Sequence, residues 1–215
     1  VNFQGGVQPQ QVLTRVAKKL GAFDGHPMIE HFKFLAAHTR ETPKMTIPSP
    51  SALHFRDGRD AVPASVYPNM DDFYRDLGET YRKTVNAFAA AGCRYLQLDE
   101  VNFTYLCDPK LIQQVRDRGE DPAALPMAYA GMINAAISNI PADMAITMHL
   151  CRGNFRSTFI ASGGYEPVAE LLFNTINVHG YFMEYDSDRA GGFEPLRFVP
   201  KGKQVVLGLV TSKTG

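Results

Sequence analysis

The sequence predicts an α/β protein built on a parallel sheet, and three observations carry that prediction. Short apolar runs alternate along the chain with stretches of helical periodicity, the order that yields parallel strands joined by crossover helices. The runs end, one after another, in polar residues, and the C-terminal ends of strands are where α/β proteins hold their ligands. The composition, 45% hydrophobic and 20% charged over 215 residues, is that of an ordinary folded chain, long enough for one domain or part of a larger one.

In chain order, Val12-Leu13-Thr14-Arg15-Val16 reads as a strand or hairpin arm. A helix is expected over 27–38, with Ile29, Phe32, Phe34 and Leu35 on one side. Lys44-Met45-Thr46-Ile47 reads as a strand stopped by Pro48-Ser49-Pro50, and the stretch 56–69, holding Pro63 and Pro68, reads as a loop. The clearest helix runs over 71–91, where Phe73, Leu77, Tyr81, Val85 and Phe88 recur at helical spacing before Gly92. A strand over 94–100 ends in two acids, Asp99 and Glu100. Helices follow over 111–118 and 126–139, the second with proline in its first turn. The run 145–151, ending Met148-His149-Leu150-Cys151, is a strand; 165–175 is a helix; 178–185 and 204–210 are strands. Five strands are visible where a closed β/α barrel has eight, so the sheet is either open or an incomplete copy of a barrel.

Composition excludes several classes. The formal net charge is zero, which offers no electrostatic footprint for nucleic acid or a membrane surface. No apolar run approaches the ~18 residues of a membrane span. The N-terminus lacks signal-peptide features and an initiator Met, so the chain is expected to start mid-protein or after processing. Three cysteines, Cys93, Cys107 and Cys151, form an odd and irregularly spaced set, which argues for a reducing, cytoplasmic setting over a disulfide framework. There is no phosphate-binding loop, no dinucleotide glycine fingerprint and no G-x-S-x-G elbow.

The strand ends carry the candidate chemistry. Residues two apart on a strand share a face, so His149 and Cys151 point the same way, and imidazole with thiolate is a donor pair suited to zinc. Glu184, at the end of the next strand, offers a third donor, or an ion-pair partner for Arg189. Asp186 shares its face as ligand, as partner of His149, or as a loop cap. Alternation puts Gln97 and Asp99 on one face and Glu100 on the other, which favours Asp99 for the site and Glu100 for structure. Ser49 and Ser51 either pack around a substrate or belong to a rigid loop. Cys107 reads as a semi-exposed thiol, Cys93 as core, and His54 and His179 as packing or loop histidines.

Taken together, Leu96-Gln97-Leu98-Asp99-Glu100, His149-Leu150-Cys151-Arg152-Gly153-Asn154 and Met183-Glu184-Tyr185-Asp186 resemble the catalytic domain of cobalamin-independent methionine synthases. The segments from Thr46 to Phe55 and from Val206 to Lys213 are similar to the short, single-barrel members of that superfamily. The resemblance implies a (β/α)8 TIM barrel of the methionine synthase and uroporphyrinogen decarboxylase type. This chain would cover roughly strands 3 to 7 as a single partial catalytic domain. It further implies zinc held by His149, Cys151 and Glu184, with a fourth ligand beyond residue 215. Asp99 would bind the amino group of homocysteine, Ser49 and Ser51 would contribute to substrate binding, and Lys213 would stand where the synthases carry a proton-transferring histidine. No counterpart of their second barrel is present, so the methyl donor is open: a folate or another small molecule.

The implied mechanism is thiol activation. A free thiol is mostly protonated at neutral pH, and zinc deprotonates it in place for attack on an electrophilic methyl group. The expected activity is methyl transfer to homocysteine in methionine biosynthesis, with small-molecule partners, no nucleic acid, no membrane, and self-association left open. The alternatives are alkyl transfer to a different thiol, a non-catalytic or metal-free barrel that binds a small molecule, and a zinc-independent decarboxylase-like barrel.

Overall fold

A computed structural model describes residues 14–213 except 22 and 24. Five strands form one parallel sheet in chain order: β1 (Met45–Pro48), β2 (Tyr95–Glu100), β3 (Ala145–Leu150), β4 (Gly180–Glu184) and β5 (Gln204–Gly208). Six α-helices accompany them: α1 (Met28–Ala37), α2 (Met70–Ala90), α3 (Asn102–Tyr105), α4 (Pro109–Asp117), α5 (Leu125–Ala136) and α6 (Glu166–Thr175). Short 3-10 turns at Pro50–Leu53, Gly58–Asp60, Asp188–Ala190 and Glu194–Phe198 fill the connections.

The long helix α2 shows why these residues fold so. The Asn69 side chain accepts from the Asp71 amide at 2.9 Å and caps it, and Asp71 and Asp72 in the first turn complement the helix dipole. Phe73, Leu77, Val85 and Phe88 fall on one stripe and are buried, each contributing about 1.5–3 kcal/mol of transfer free energy. Gly92, at φ +95°, ends the helix in a conformation that a side chain would strain. In α4, Asp108 is the cap: its Oδ1 accepts from the Lys110 and Leu111 amides, and its Oδ2 from the Ser162 amide. One carboxylate thereby starts a helix and ties down the loop that follows β3.

The sheet has two unlike faces. Leu96, Leu98 and Glu100 of β2, Ile146, Met148 and Leu150 of β3, and Tyr181 and Met183 of β4 are buried, in one core with the apolar stripes of α2, α5 and α6. On the opposite face Thr46 and Pro48 are exposed, while Tyr95, Gln97, Asp99, His149, Phe182 and Glu184 are half-buried. Val206, in register with Phe182, is 49% exposed. The Lys44 ammonium lies over the Tyr95 and Phe182 rings at 4.8 and 4.0 Å, a cationic cover for an aromatic patch.

Several expectations shift. Residues 14–16 form no strand: the Val16 amide donates to the Ala61 carbonyl and its side chain is buried, an isolated anchor in place of a ladder. Val12 and Leu13 lie outside the described residues. β5 stops at Gly208, and Val210 is 91% exposed. The sheet is open among the described residues, with β1 and β5 as its edges.

Candidate functional site

Parallel register assembles the site. Asp99 is the partner of His149, and His149 of Phe182, so their side chains share the half-buried face. Leu150 pairs with Met183, which sets Cys151 beside Glu184 one step on. Cys151 lies just past β3, but its amide still donates to the Glu100 carbonyl at 3.0 Å and continues the ladder. The sequence-predicted set Asp99, His149, Cys151 and Glu184 is therefore brought to neighbouring strand ends. Lys213, half-buried after β5, is near enough for its charge to act on the Cys151 thiol.

Each side chain is held by identifiable partners. Gln97 donates to Asp99 Oδ1 at 2.7 Å. His149 Nδ1 is 3.1 Å from the Phe182 carbonyl oxygen. A carbonyl only accepts, so Nδ1 carries the proton, and in the neutral ring Nε2 keeps its lone pair. Cys151 Sγ accepts from the Gly153 amide at 3.3 Å, and the Cys151 carbonyl accepts from the Thr104 hydroxyl. Burial raises the Cys151 thiol, and the Glu184 carboxylate raises it further; the Gly153 amide and the Lys213 charge pull the other way. Glu184 Oε2 accepts from the Arg152 amide at 3.0 Å and lies 3.6 Å from Arg189. The Tyr165 hydroxyl donates to the Glu184 carbonyl and accepts from its amide, both at 3.1 Å, pinning the end of β4.

Asp186 is turned to a structural pair. Both of its oxygens accept from Arg189 at 3.0 Å. Burial alone would raise its carboxyl, but hydrogen bonds from Thr211 and Arg189 hold it below the usual range.

Ser49 and Ser51 are not on this face. Both are fully buried, and the Ser51 hydroxyl donates to Glu100 Oε2 at 2.5 Å while accepting from Asn102 Nδ2 at 2.7 Å. Glu100 Oε1 accepts from the Asn102 amide at 2.6 Å. The 3-10 turn after β1 sets both serines on the helix side with Glu100, away from the face of Asp99 where a place beside a substrate was expected. Cys107 is likewise not semi-exposed: it is buried, its thiol donates to the Phe103 carbonyl, and desolvation pushes it up to about 12. His54 is a packed core histidine, with Tyr129 at 2.8 Å from Nδ1 and Glu120 at 2.9 Å from Nε2.

Arg189, expected from the sequence as an ion-pair partner for Glu184, lies 3.6 Å from it and bonds Asp186 as well, whereas Thr104 and Tyr165, which hold the site's backbone, escaped the sequence reading. Thr104 sits inside the four-residue α3 and Tyr165 at the start of α6, where no periodicity marks them. Only the Tyr165-x-Pro167 helix start carried a signal.

The donor types suit zinc in chemistry: imidazole, thiol and carboxylate on one face, with the histidine tautomer fixed by the Phe182 carbonyl. Among the described residues, however, no three His, Cys, Asp or Glu side chains stand close enough together to hold a metal ion as they are. Also among the described residues, no helix is long and apolar enough to cross a membrane.

The α/β fold is similar to that of solved vitamin-B12-independent methionine synthase structures. A candidate vitamin-B12-independent methionine synthase from Listeria monocytogenes is 41% identical, with a TM-score of 0.70, over 90% of this chain and 54% of its own. A B12-independent methionine synthase from Shewanella sp. W3-18-1, solved with selenomethionine, shares the fold at a TM-score of 0.59 and 20% identity, over 84% of this chain and 48% of its own. The uncharacterized proteins YxjH and YxjG of Bacillus subtilis are 46% and 45% identical over 195 and 196 residues, in each case 90% of this chain and 51% of theirs. The chain thus spans about half the length of the curated relatives it matches. The sequence matches no family model.

Proposed function

We propose that this chain carries the thiol-activating half of a zinc-dependent S-methyltransferase. It would transfer a methyl group from 5-methyltetrahydrofolate or another small donor to homocysteine, giving methionine. The observation that carries this reading is the His149 tautomer. Its Nδ1 proton is committed to the Phe182 carbonyl, leaving Nε2 as a lone-pair donor on the face shared with Asp99, Cys151 and Glu184. A core histidine with no ligand to serve would gain more by satisfying both nitrogens, as His54 does.

In this reading His149, Cys151 and Glu184 hold the zinc, and a fourth ligand comes from chain beyond residue 215, in a barrel of which these strands are the third to the seventh. Zinc, when bound, supplies the charge that keeps a thiol sulfur ionised at neutral pH. Asp99, steadied by Gln97, accepts from the ammonium of the amino-acid substrate and fixes its orientation. Lys213 places positive charge beside the sulfur and stabilises the thiolate form. Ser49 and Ser51 act indirectly, by supporting the buried Glu100 at the strand end that presents Asp99. The three free cysteines suit a cytoplasmic setting.

Zinc stoichiometry on the purified protein tests the reading. About one zinc per chain is expected, lost in His149→Ala, Cys151→Ala and Glu184→Ala. A folded protein without zinc after metal loading would leave a metal-free small-molecule binder instead.

A further inference from the structure

We propose that Thr104 is a positioning residue for the strand-end site: through the one peptide group between Cys151 and Arg152, its hydroxyl sets the directions of both the Cys151 and the Glu184 side chains. That peptide group is held at both ends. Its carbonyl oxygen, on Cys151, lies 2.5 Å from Thr104 Oγ1. Its N–H, on Arg152, donates to Glu184 Oε2 at 3.0 Å. A trans peptide is planar, with its C=O and N–H pointing in opposite directions. Fixing the oxygen on the side of Thr104 therefore aims the N–H at Glu184. Turning the same plane over would set the carbonyl oxygen against the carboxylate, two acceptors face to face.

Thr104 has one hydroxyl proton and two carbonyls within reach, the other being that of Val101 at 2.6 Å. The Val101 oxygen already accepts from the Tyr105 amide at 3.1 Å. Two oxygens as close as those of Thr104 and Cys151 would repel without a proton between them, so the proton belongs on the Cys151 side. Thr104 is fully buried, which keeps bulk water from taking over the bond. The clamp reaches three strands. Thr104 stands on α3, straight after β2, and the Cys151 amide donates to the Glu100 carbonyl of β2. Glu184 closes β4, its own backbone pinned by Tyr165. Cys151 is thus held by both its amide and its carbonyl, which fixes its backbone and with it the direction of Sγ. The second cation on Glu184, Arg189 at 3.6 Å, falls on the same oxygen, Oε2. The hydroxyl does for Cys151 and Glu184 what the Phe182 carbonyl does for His149. Partners that orient a metal ligand in this way are typically worth about 10–100-fold in metal affinity. The metal arm of this inference rests on the reading of Cys151 and Glu184 as zinc ligands; the geometry of the peptide does not.

Thr104→Val keeps the shape and removes the hydroxyl, whereas Thr104→Ser keeps the hydroxyl. Two measurements on the intact protein separate the clamp from the ligand reading. In amide hydrogen exchange without metal, Thr104→Val should speed the Arg152 amide several-fold more than the Cys151 amide, which stays on Glu100. A general loss of stability would speed both alike, and serine should restore the wild-type ratio. In zinc competition against a chelator, Thr104→Val should bind about 10–100-fold more weakly than wild type, and Thr104→Ser close to wild type. Equal zinc affinity in wild type and Thr104→Val overturns the positioning role. A wild type that takes no zinc removes the ligand reading instead; the exchange ratio then decides, and an unchanged ratio overturns the clamp. If Thr104→Val does not fold, a crystal of the wild type decides the matter. A Cys151 carbonyl turned toward Glu184 overturns the proposal, and one bonded to Thr104 with the Arg152 amide on Glu184 supports it.

Discussion

Asp99 and Glu100 are adjacent in the chain and opposite in environment. Asp99 stands half-buried on the open face, whereas Glu100 is enclosed on the helix side by Ser51 and Asn102. Burial raises the Glu100 carboxyl, and the bonds from Ser51 and Asn102 only partly offset that. A carboxyl raised on folding keeps its proton longer in the native state than in the unfolded chain. Its contribution is therefore complete below its unfolded value, about 4.5, and is lost as pH rises through the higher folded value. Urea unfolding from pH 5 to 8 should show Glu100→Gln gaining stability relative to wild type as pH rises; a constant gap would mean that Glu100 does not titrate in that range. That the two acids face opposite ways was legible from alternation alone. The placement of Ser49 and Ser51 was not, because they follow β1 in a 3-10 turn where alternation no longer assigns a face. Arg152, fully buried after β3, reads in the sequence as loop, because nothing local marks a charge that is to be buried.

At the scale of elements, α2 packs extensively against α5, and Gly78 lies at that contact. A methyl group there would lie 3.0 Å from the Ala135 methyl and 3.2 Å from the Met132 carbonyl oxygen. The helix itself would prefer alanine by about 1 kcal/mol, so glycine here serves the approach of the two helices. Gly78→Leu should cost about 1–3 kcal/mol through overpacking, measured as a shift in denaturant midpoint; an unchanged midpoint would show that the helices can separate freely. Long helices such as α2 were legible because a buried stripe imposes its period over many turns. The four residues of α3, all buried, have no period to read. The end of β5 was overestimated because Leu209 and Val210 are apolar yet lie beyond the last ladder bond, at 58% and 91% exposure.

Across the whole molecule, stability is distributed unevenly. β2, β3 and β4 have a partner on either side, while β1 and β5 have one each, and β5 alternates between exposed and half-buried positions along its length. Native-state hydrogen exchange on this chain should be slowest in β2 and β3 and fastest among the strands in β5; equal protection in β5 would require a cover for that edge. Five strands and their parallel sense could be read from the sequence. The face left open could not be assigned from β3, where Ile146, Thr147 and Met148 are all buried. Because Asp99, His149 and Glu184 are aimed by the two-residue alternation of their strands, and Cys151 by the ladder bond that prolongs β3, their shared face depends on the length of each strand. Deleting one residue between Ala145 and Met148 would leave an equally apolar segment, yet would turn His149 and Cys151 into the helix layer and Leu150 out. Insertions and deletions in this lineage should therefore collect in the connections, such as 56–69 and 152–163, and leave the strands untouched.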